Sequence, residues 1–163
     1  MIDTARLLLR PPARSDADAV VATIDVEVER LNGWSSDRKQ RVGLAIAMGR
    51  AGACMVVCDR RSGEVLGVVQ LERATENGSV THEVGCWVGA EGRARGVGTE
   101  AVGAVVDRAH AKGIATVTAT MLATNEPARR LVERLGFTRV GMRPRVVASG
   151  AVIDELTYVH TAG

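Results

Sequence analysis

An apolar strand, a basic glycine turn and an amphipathic helix follow one another between residues 84 and 112, and this succession constrains the fold more than any other part of the chain. Val84-Gly85-Cys86-Trp87-Val88 reads as the strand. The turn is Arg93-Ala94-Arg95-Gly96-Val97-Gly98-Thr99, and beyond it Val102, Val105, Val106 and Ala109 recur at i, i+3, i+4 and i+7 on one helical face. A glycine turn that opens a helix offers unpaired backbone N–H groups at the positive end of the helix dipole, a geometry suited to phosphate. Gly96 and Gly98 remove the Cβ atoms that would hold an anion away, and Arg93 and Arg95 add charge beside it. Read alone, the heptapeptide serves equally as a plain strand-to-helix connection. It is neither G-x-x-x-x-G-K-[ST] nor the dinucleotide fingerprint, because no Lys-Ser or Lys-Thr pair follows and Glu100 and Asp107 fall inside the helix.

With 163 residues the chain fits one domain, spanning 1–163, and can bury a proper core. Its four aromatic residues are Trp34, Trp87, Phe137 and Tyr158, so Val, Leu, Ile and Ala must fill that core. A net charge of +2 gives no electrostatic case for nucleic acid. No apolar run is long enough to span a bilayer and Met1-Ile2-Asp3 begins no signal peptide, so no membrane partner and a cytoplasmic location are expected. Cys54, Cys58 and Cys86 lack a C-x-x-C spacing, which fits a reducing compartment. Cys54 and Cys58 share strand parity and both can face the core. His82, His110 and His160 are scattered, so no metal site is expected.

Along the chain, Arg6–Arg10 reads as a strand broken by Pro11-Pro12. Ser15-Asp16-Ala17-Asp18 reads as the start of a helix reaching about Leu31, ended by Asn32-Gly33. Ser35-Ser36-Asp37 caps a second helix to about Arg50. Strands follow at 53–59, 64–73 and 80–88, joined by turns at Arg61-Ser62-Gly63 and Glu76-Asn77-Gly78-Ser79. A helix over 98–112, a strand over 114–122, a helix over 126–135 and strands over 138–147 and 152–159 complete the order. The expected class is α/β (α+β), with one mixed, mostly antiparallel sheet of about seven strands and four helices.

The pattern Arg93-x-x-Gly96-x-Gly98 after a strand resembles the acetyl-CoA pyrophosphate loop of the GCN5-related N-acetyltransferase (GNAT) superfamily. Asn125-Glu126-Pro127-Ala128, leading through Leu131 to Gly136-Phe137, is similar to that superfamily's second cofactor element. Thr4-Ala5-Arg6-Leu7-Leu8-Leu9-Arg10-Pro11 and Glu83-Val84-Gly85-Cys86-Trp87-Val88 resemble the opening and central strands of its RimJ/RimL-like branch, which acetylates ribosomal-protein N-termini. The four elements stand in the family's order, from Ala5 to about Tyr158. The resemblance implies a single acyl-CoA N-acyltransferase domain with acetyl-CoA as co-substrate and an amine as acceptor. It also implies a homodimer.

Carried over residue by residue, the family pattern places pantetheine on the backbone of Cys86, Trp87 and Val88, with the Val88 N–H near the thioester. It places pyrophosphate on Arg95, Gly96, Val97, Gly98 and Thr99, beside Arg93, and gives Asn125 a part in holding the coenzyme. Glu83 occupies the family's carboxylate position and is the candidate general base, working directly or through water; its alternative is a surface carboxylate on a strand. The hydroxyls that family members use to protonate the leaving thiolate are absent, because Ala128 and Val132 stand at those positions. A thiolate can instead take its proton from water or from the ammonium product. An α-amine, with a pKa of about 7.7–8.0, is roughly a tenth neutral at pH 7, whereas a lysine amine at about 10.4 is almost wholly charged. A site with one weak base therefore suits a protein N-terminus. A small amine acceptor (antibiotic, polyamine or amino acid) and a non-catalytic acyl-CoA sensor are the alternatives. Trp34 either lines the acceptor pocket or packs the first two helices together. Asp154 and Glu155 at the start of the last strand either attract a cationic acceptor or form a solvated strand end.

Overall fold

Alternating apolar residues in the strands and apolar stripes on the helices require a sheet covered on both faces. The computed structural model describes residues 1–76 and 78–163, with Glu76 described by its backbone alone. Eight strands form one sheet: β1 (Ile2–Asp3), β2 (Leu7–Arg10), β3 (Cys54–Asp59), β4 (Val65–Glu76), β5 (Ser79–Val88), β6 (Thr116–Leu122), β7 (Thr138–Val146) and β8 (Val152–Thr161). Their spatial order is β1-β2-β3-β4-β5-β6-β8-β7. Neighbours are antiparallel except β5 and β6, which are parallel and pair only at Glu83 and Thr118. Five α-helices accompany them: α1 (Ala17–Thr23), α2 (Val26–Asn32), α3 (Arg38–Ala47), α4 (Val97–Ala111) and α5 (Glu126–Arg134).

The mixed sheet and the element order match the expectation; three details differ. β1 is an added strand, too short to carry a pattern, and exists through its pairing with Leu8 and Leu9. The helix expected to reach Leu31 divides at Ile24. There the side chain of Asp25 accepts from Val28 N at 3.0 Å and starts α2 afresh. Ser15 does not cap the first helix. The Asp16 carboxylate instead accepts from Ala13 N at 2.6 Å and from the Arg10 guanidinium at 2.7 and 2.9 Å. Those Arg10 bonds, with the Ala13 bond behind them, hold Asp16 below the usual carboxylate range against the opposing effect of burial. The turn expected at 76–79 includes Asn77, which lies outside the described residues.

Two cores flank the sheet. Leu7, Leu9, Val57, Val84, Val117, Leu156 and Tyr158 pack against α4 and Val132 of α5 on one face. Val20, Ile24, Val28, Ile46, Val56, Cys58, Val68 and Trp87 form the other, under α1 to α3, with Cys54 against them. The three cysteines are free thiols. Between α2 and α3, Gly33 adopts φ +64 and lies so close to Val147 that a Cβ would sit 2.7 Å from Val147 Cγ1. The α2–α3 connection thus docks on the end of the β7–β8 hairpin.

Candidate active site

A parallel pair that separates after one residue pair leaves a wedge, and the strand edge facing the wedge keeps its backbone groups unpaired. Gly89 N donates to Leu66 O at 2.8 Å, and Gly67 stands opposite Val88 in the β4–β5 register. Antiparallel alternation then turns the N–H and C=O of Cys86 and Val88 away from β4, toward the side where β6 has diverged. A cavity of about 590 Å³ occupies this side, lined by Val28, Leu31 and Asn32 of α2, by Cys86, Trp87 and Val88, by most of the glycine turn, and by the start of α5. Gly96, Val97, Gly98, Thr99, Arg93 and Asn125 are all on its wall.

The turn reaches α4 through two left-handed residues, Ala94 at φ +58 and Gly96 at φ +73. For Ala94 this conformation costs about 1–2 kcal/mol. It is tolerated because the turn is tied down from several sides. Arg6 Nη1 donates to Arg95 O at 2.8 Å, and Arg6 Nε donates to Glu100 at 2.7 Å, where Thr4 Oγ1 also donates. Gly98 approaches α5 so closely that a Cβ would lie 2.8 Å from Leu131 Cδ1. The free N–H groups at the start of α4 therefore point into the cavity mouth at the positive end of a 15-residue helix.

The two arginines of the turn are held differently. Arg93 lines the cavity, but its guanidinium forks onto the Asp25 carboxylate, with Nη1 donating to Oδ1 at 2.9 Å and Nη2 to Oδ2. Arg93 is thus a clamp between the turn and α2 rather than an uncommitted charge. The bonds from Arg93, with Val28 N behind them, bring Asp25 down to about 2 despite its burial. A carboxylate lowered in this way stabilises the fold above its ordinary pKa and loses that contribution only as pH falls through about 2, so the clamp stays closed at neutral pH. Arg95 points outward, its Nη1 donating to Glu91 O at 2.8 Å, and is not on the cavity wall. Arg130 and Arg134 of α5 are on the wall, Arg130 in an ion pair with Glu126.

Asn125 is the N-cap of α5, its side chain accepting from Ala128 N at 3.2 Å, so it shapes this wall by fixing the helix start. Glu83 is exposed and outside the cavity wall. It sits on β5 where β5 and β6 part, accepting from Thr120 Oγ1 at 2.5 Å. Three residues, about 10 Å of strand, separate it from Cys86. Trp34 is half-buried, also off the wall, and packs edge-on against Trp87 with ring centroids 5.4 Å apart. Trp87 in turn donates from Nε1 to Thr23 Oγ1 at 2.9 Å. Tyr158 is buried, and its hydroxyl donates to Glu133 at 2.9 Å, far from any role at a sulfur. Glu155 is only 4% exposed and holds Arg143 and Arg145. That corrects the solvated reading for Glu155, while Asp154 is exposed; an acidic strand start says nothing of two arginines on the neighbouring strand. His110 and His160 come together at 2.9 Å across the far side of the sheet.

Cys86 is the one thiol on the cavity wall, and burial pushes it up to about 12. At neutral pH roughly one part in 10⁵ is then thiolate. A thiol so protonated is a poor acyl acceptor. Cys86→Ala is therefore expected to retain turnover within about threefold, and intact-mass spectrometry after mixing with an acetyl donor should show no acetylated protein. A mass gain of one acetyl group would establish a covalent route.

The acetyltransferase (GNAT) domain family matches residues 6–138. Among curated protein sequences none matches significantly. Solved structures share the fold at low identity. A GNAT-family acetyltransferase from Bacillus anthracis superposes with a TM-score of 0.83 at 19% identity, over 98% of this chain and 97% of that one. The ribosomal-protein-S5-alanine acetyltransferase from Vibrio fischeri gives 0.73 at 19% identity, over 98% and 94%. The microcin C7 self-immunity acetyltransferase, solved with acetyl-CoA and AMP, gives 0.77 at 17% identity, over 98% and 94%.

Proposed function

The chain belongs to the acetyltransferase (GNAT) domain family, whose members use acetyl-CoA to acetylate amines, and on that premise we propose that it acetylates the N-terminal α-amine of a protein. The observation that carries this reading is the wedge between β5 and β6, which opens beside the glycine turn and leaves the Cys86 and Val88 backbone edges unpaired. Residues 1–163 act as one acyl-CoA N-acyltransferase domain. The pyrophosphate of acetyl-CoA sits on the amides of Gly96 to Thr99, and the pantetheine arm pairs with Cys86 and Val88. Arg134 and Arg130 stand nearest the coenzyme's ribose phosphate.

The acyl end then lies toward the point where the strands meet, near Glu83. Glu83, seated on Thr120, takes the proton of the attacking ammonium through bridging water. The neutral amine attacks the thioester carbon, and backbone N–H donors hold the oxyanion. The thiolate leaves and is protonated by water or by the ammonium of the product. Trp34 lies outside the coenzyme cavity, packed on Trp87. The low pKa of an α-amine suits a site with one weak base and supports the RimJ/RimL-like reading; a homodimer and a cytoplasmic location go with it.

Glu83→Gln is expected to lower kcat at pH 7 by about 10²-fold while the affinity for acetyl-CoA stays unchanged. Free-thiol release from acetyl-CoA measures it, with peptides bearing free N-termini, the same peptides N-formylated, and small amines as acceptors. Release with free peptides alone supports the N-terminal reading. Release with small amines alone replaces the acceptor, and an unchanged kcat in Glu83→Gln removes the base.

A further inference from the structure

On the sheet face that carries Glu83, a group of charged side chains has no part in holding the coenzyme. Arg38, the first residue of α3, lays its guanidinium over the Trp34 ring, 4.1 Å from the centroid. Its Nε is buried and donates to nothing among the described residues. Trp34 meets Trp87 edge-on, and Trp87 is on the cavity wall. Arg38 therefore stands two ring contacts from the coenzyme site, with donors uncommitted.

The surrounding charges give the place a definite polarity. Burial lowers the pKa of Arg38, Arg41 and Arg145 lower it further, and Glu72 opposes them. Arg41 is engaged by Asp37 at 3.7 Å. Arg143 and Arg145 share the single carboxylate of Glu155, which leaves one positive charge in excess there. On the other side, Glu72 stands directly across from Glu83 in the β4–β5 register. Like charges in opposed positions weaken a sheet; a cation held between them removes that cost. Strand alternation puts Glu83 on the same face as Trp87, so one face carries a carboxylate pair and, over Trp34, an uncommitted guanidinium.

We propose that the acceptor is an amine carrying its own carboxylate, which Arg38 binds on the Trp34 ring while the ammonium is drawn to Glu72 and Glu83. This rests on the acetyl-transfer reading above and names the chemistry of its acceptor. A guanidinium takes a carboxylate through two parallel N–H bonds, and the Trp34 ring fixes its plane. Arg38 is a specificity residue and has no part in the chemical step. A free α-amino acid supplies the carboxylate at the α-carbon; a peptide supplies it from an N-terminal Asp or Glu.

The test measures kcat/KM by thiol release for two acceptor pairs: glycine against glycinamide, and Glu-Ala-Ala-amide against Gln-Ala-Ala-amide. The preference for the carboxylated member is compared between the wild type and Arg38→Gln, which cancels the intrinsic difference in amine basicity. In one pair the preference should fall about tenfold in Arg38→Gln through KM for the acceptor, with KM for acetyl-CoA unmoved. Arg38→Lys, which keeps the cation on Trp34, should fall between and guards against a folding defect. A loss in the glycine pair assigns free amino acids, and a loss in the peptide pair assigns acidic N-termini. A preference unchanged in both pairs overturns the carboxylate subsite alone. A wild type that releases thiol with no amine overturns acetyl transfer itself, and the subsite with it.

Discussion

Replacing Gly96 by Val should weaken acetyl-CoA binding by about 100-fold or more while leaving the fold in place. Gly96 sits at φ +73 immediately before α4, in a region that a β-branched residue enters only with strain. The strained turn rotates the amides that follow it, and each charge-assisted bond from those amides to a phosphate is worth about 1.5–3 kcal/mol. Losing two such bonds accounts for the expected factor. The side chain itself meets little, since a Cβ at this position finds only Arg6 Nη2 at 3.3 Å. The effect therefore belongs to backbone direction, and Gly96→Ala should fall between the two. Quenching of Trp87, which is on the cavity wall, reports the affinity, and far-ultraviolet circular dichroism reports the fold. An affinity unchanged in Gly96→Val would remove the turn from coenzyme binding.

The second large effect lies on the neighbouring strand. Gly67 on β4 faces Val88, and a Cβ there would stand 2.2 Å from Trp87 O and 3.0 Å from Val88 Cα. Both obstacles are backbone, so no side-chain rotation relieves the clash. Gly67→Ala should destabilise the protein by about 3 kcal/mol, a fall in Tm of roughly 6–12 °C for a chain of this size. The strand must move where it borders the cavity, so KM for acetyl-CoA should rise as well. Thermal unfolding followed by calorimetry checks the first, and initial rates against acetyl-CoA check the second. A Tm within 2 °C of the wild type, taken as roughly half a kcal/mol, would mean that the strand shifts freely and does not position the coenzyme edge.

The element order was legible because each segment carries its own signal. The apolar stripe of α4, Asn32-Gly33 as a helix stop and the turn at Arg61-Ser62-Gly63 all act within a few residues of themselves. What was not legible depends on distant partners. Asp25 reads as a mid-helix residue until Arg93, 68 residues away, and Val28 are seen to claim its carboxylate. For the same reason the bond that ties Arg93 to α2 was not legible, although the residue stands on the cavity wall. Glu155 looked exposed because nothing local shows that β7 brings Arg143 and Arg145 across from it. Trp34 meets Trp87 edge-on and carries the Arg38 guanidinium on its ring, contacts that no local signal shows. A capping residue near position 25 could have been found: Asp25 precedes an apolar residue and two glutamates, as helix starts do. Arg38 on Trp34 had no such signal, because the four-residue spacing acquires meaning only once α3 has been placed.

Every functional statement returns to the coenzyme in the wedge between β5 and β6. Calorimetric titration of the wild-type chain with acetyl-CoA, repeated with pantetheine lacking the nucleotide, tests it most directly. The account predicts saturable binding of one acetyl-CoA per chain and binding of pantetheine weaker by about 100-fold or more, since the turn at Gly96 to Thr99 holds the pyrophosphate through several charged bonds. Equal affinities for the two, or no heat with acetyl-CoA, would contradict it.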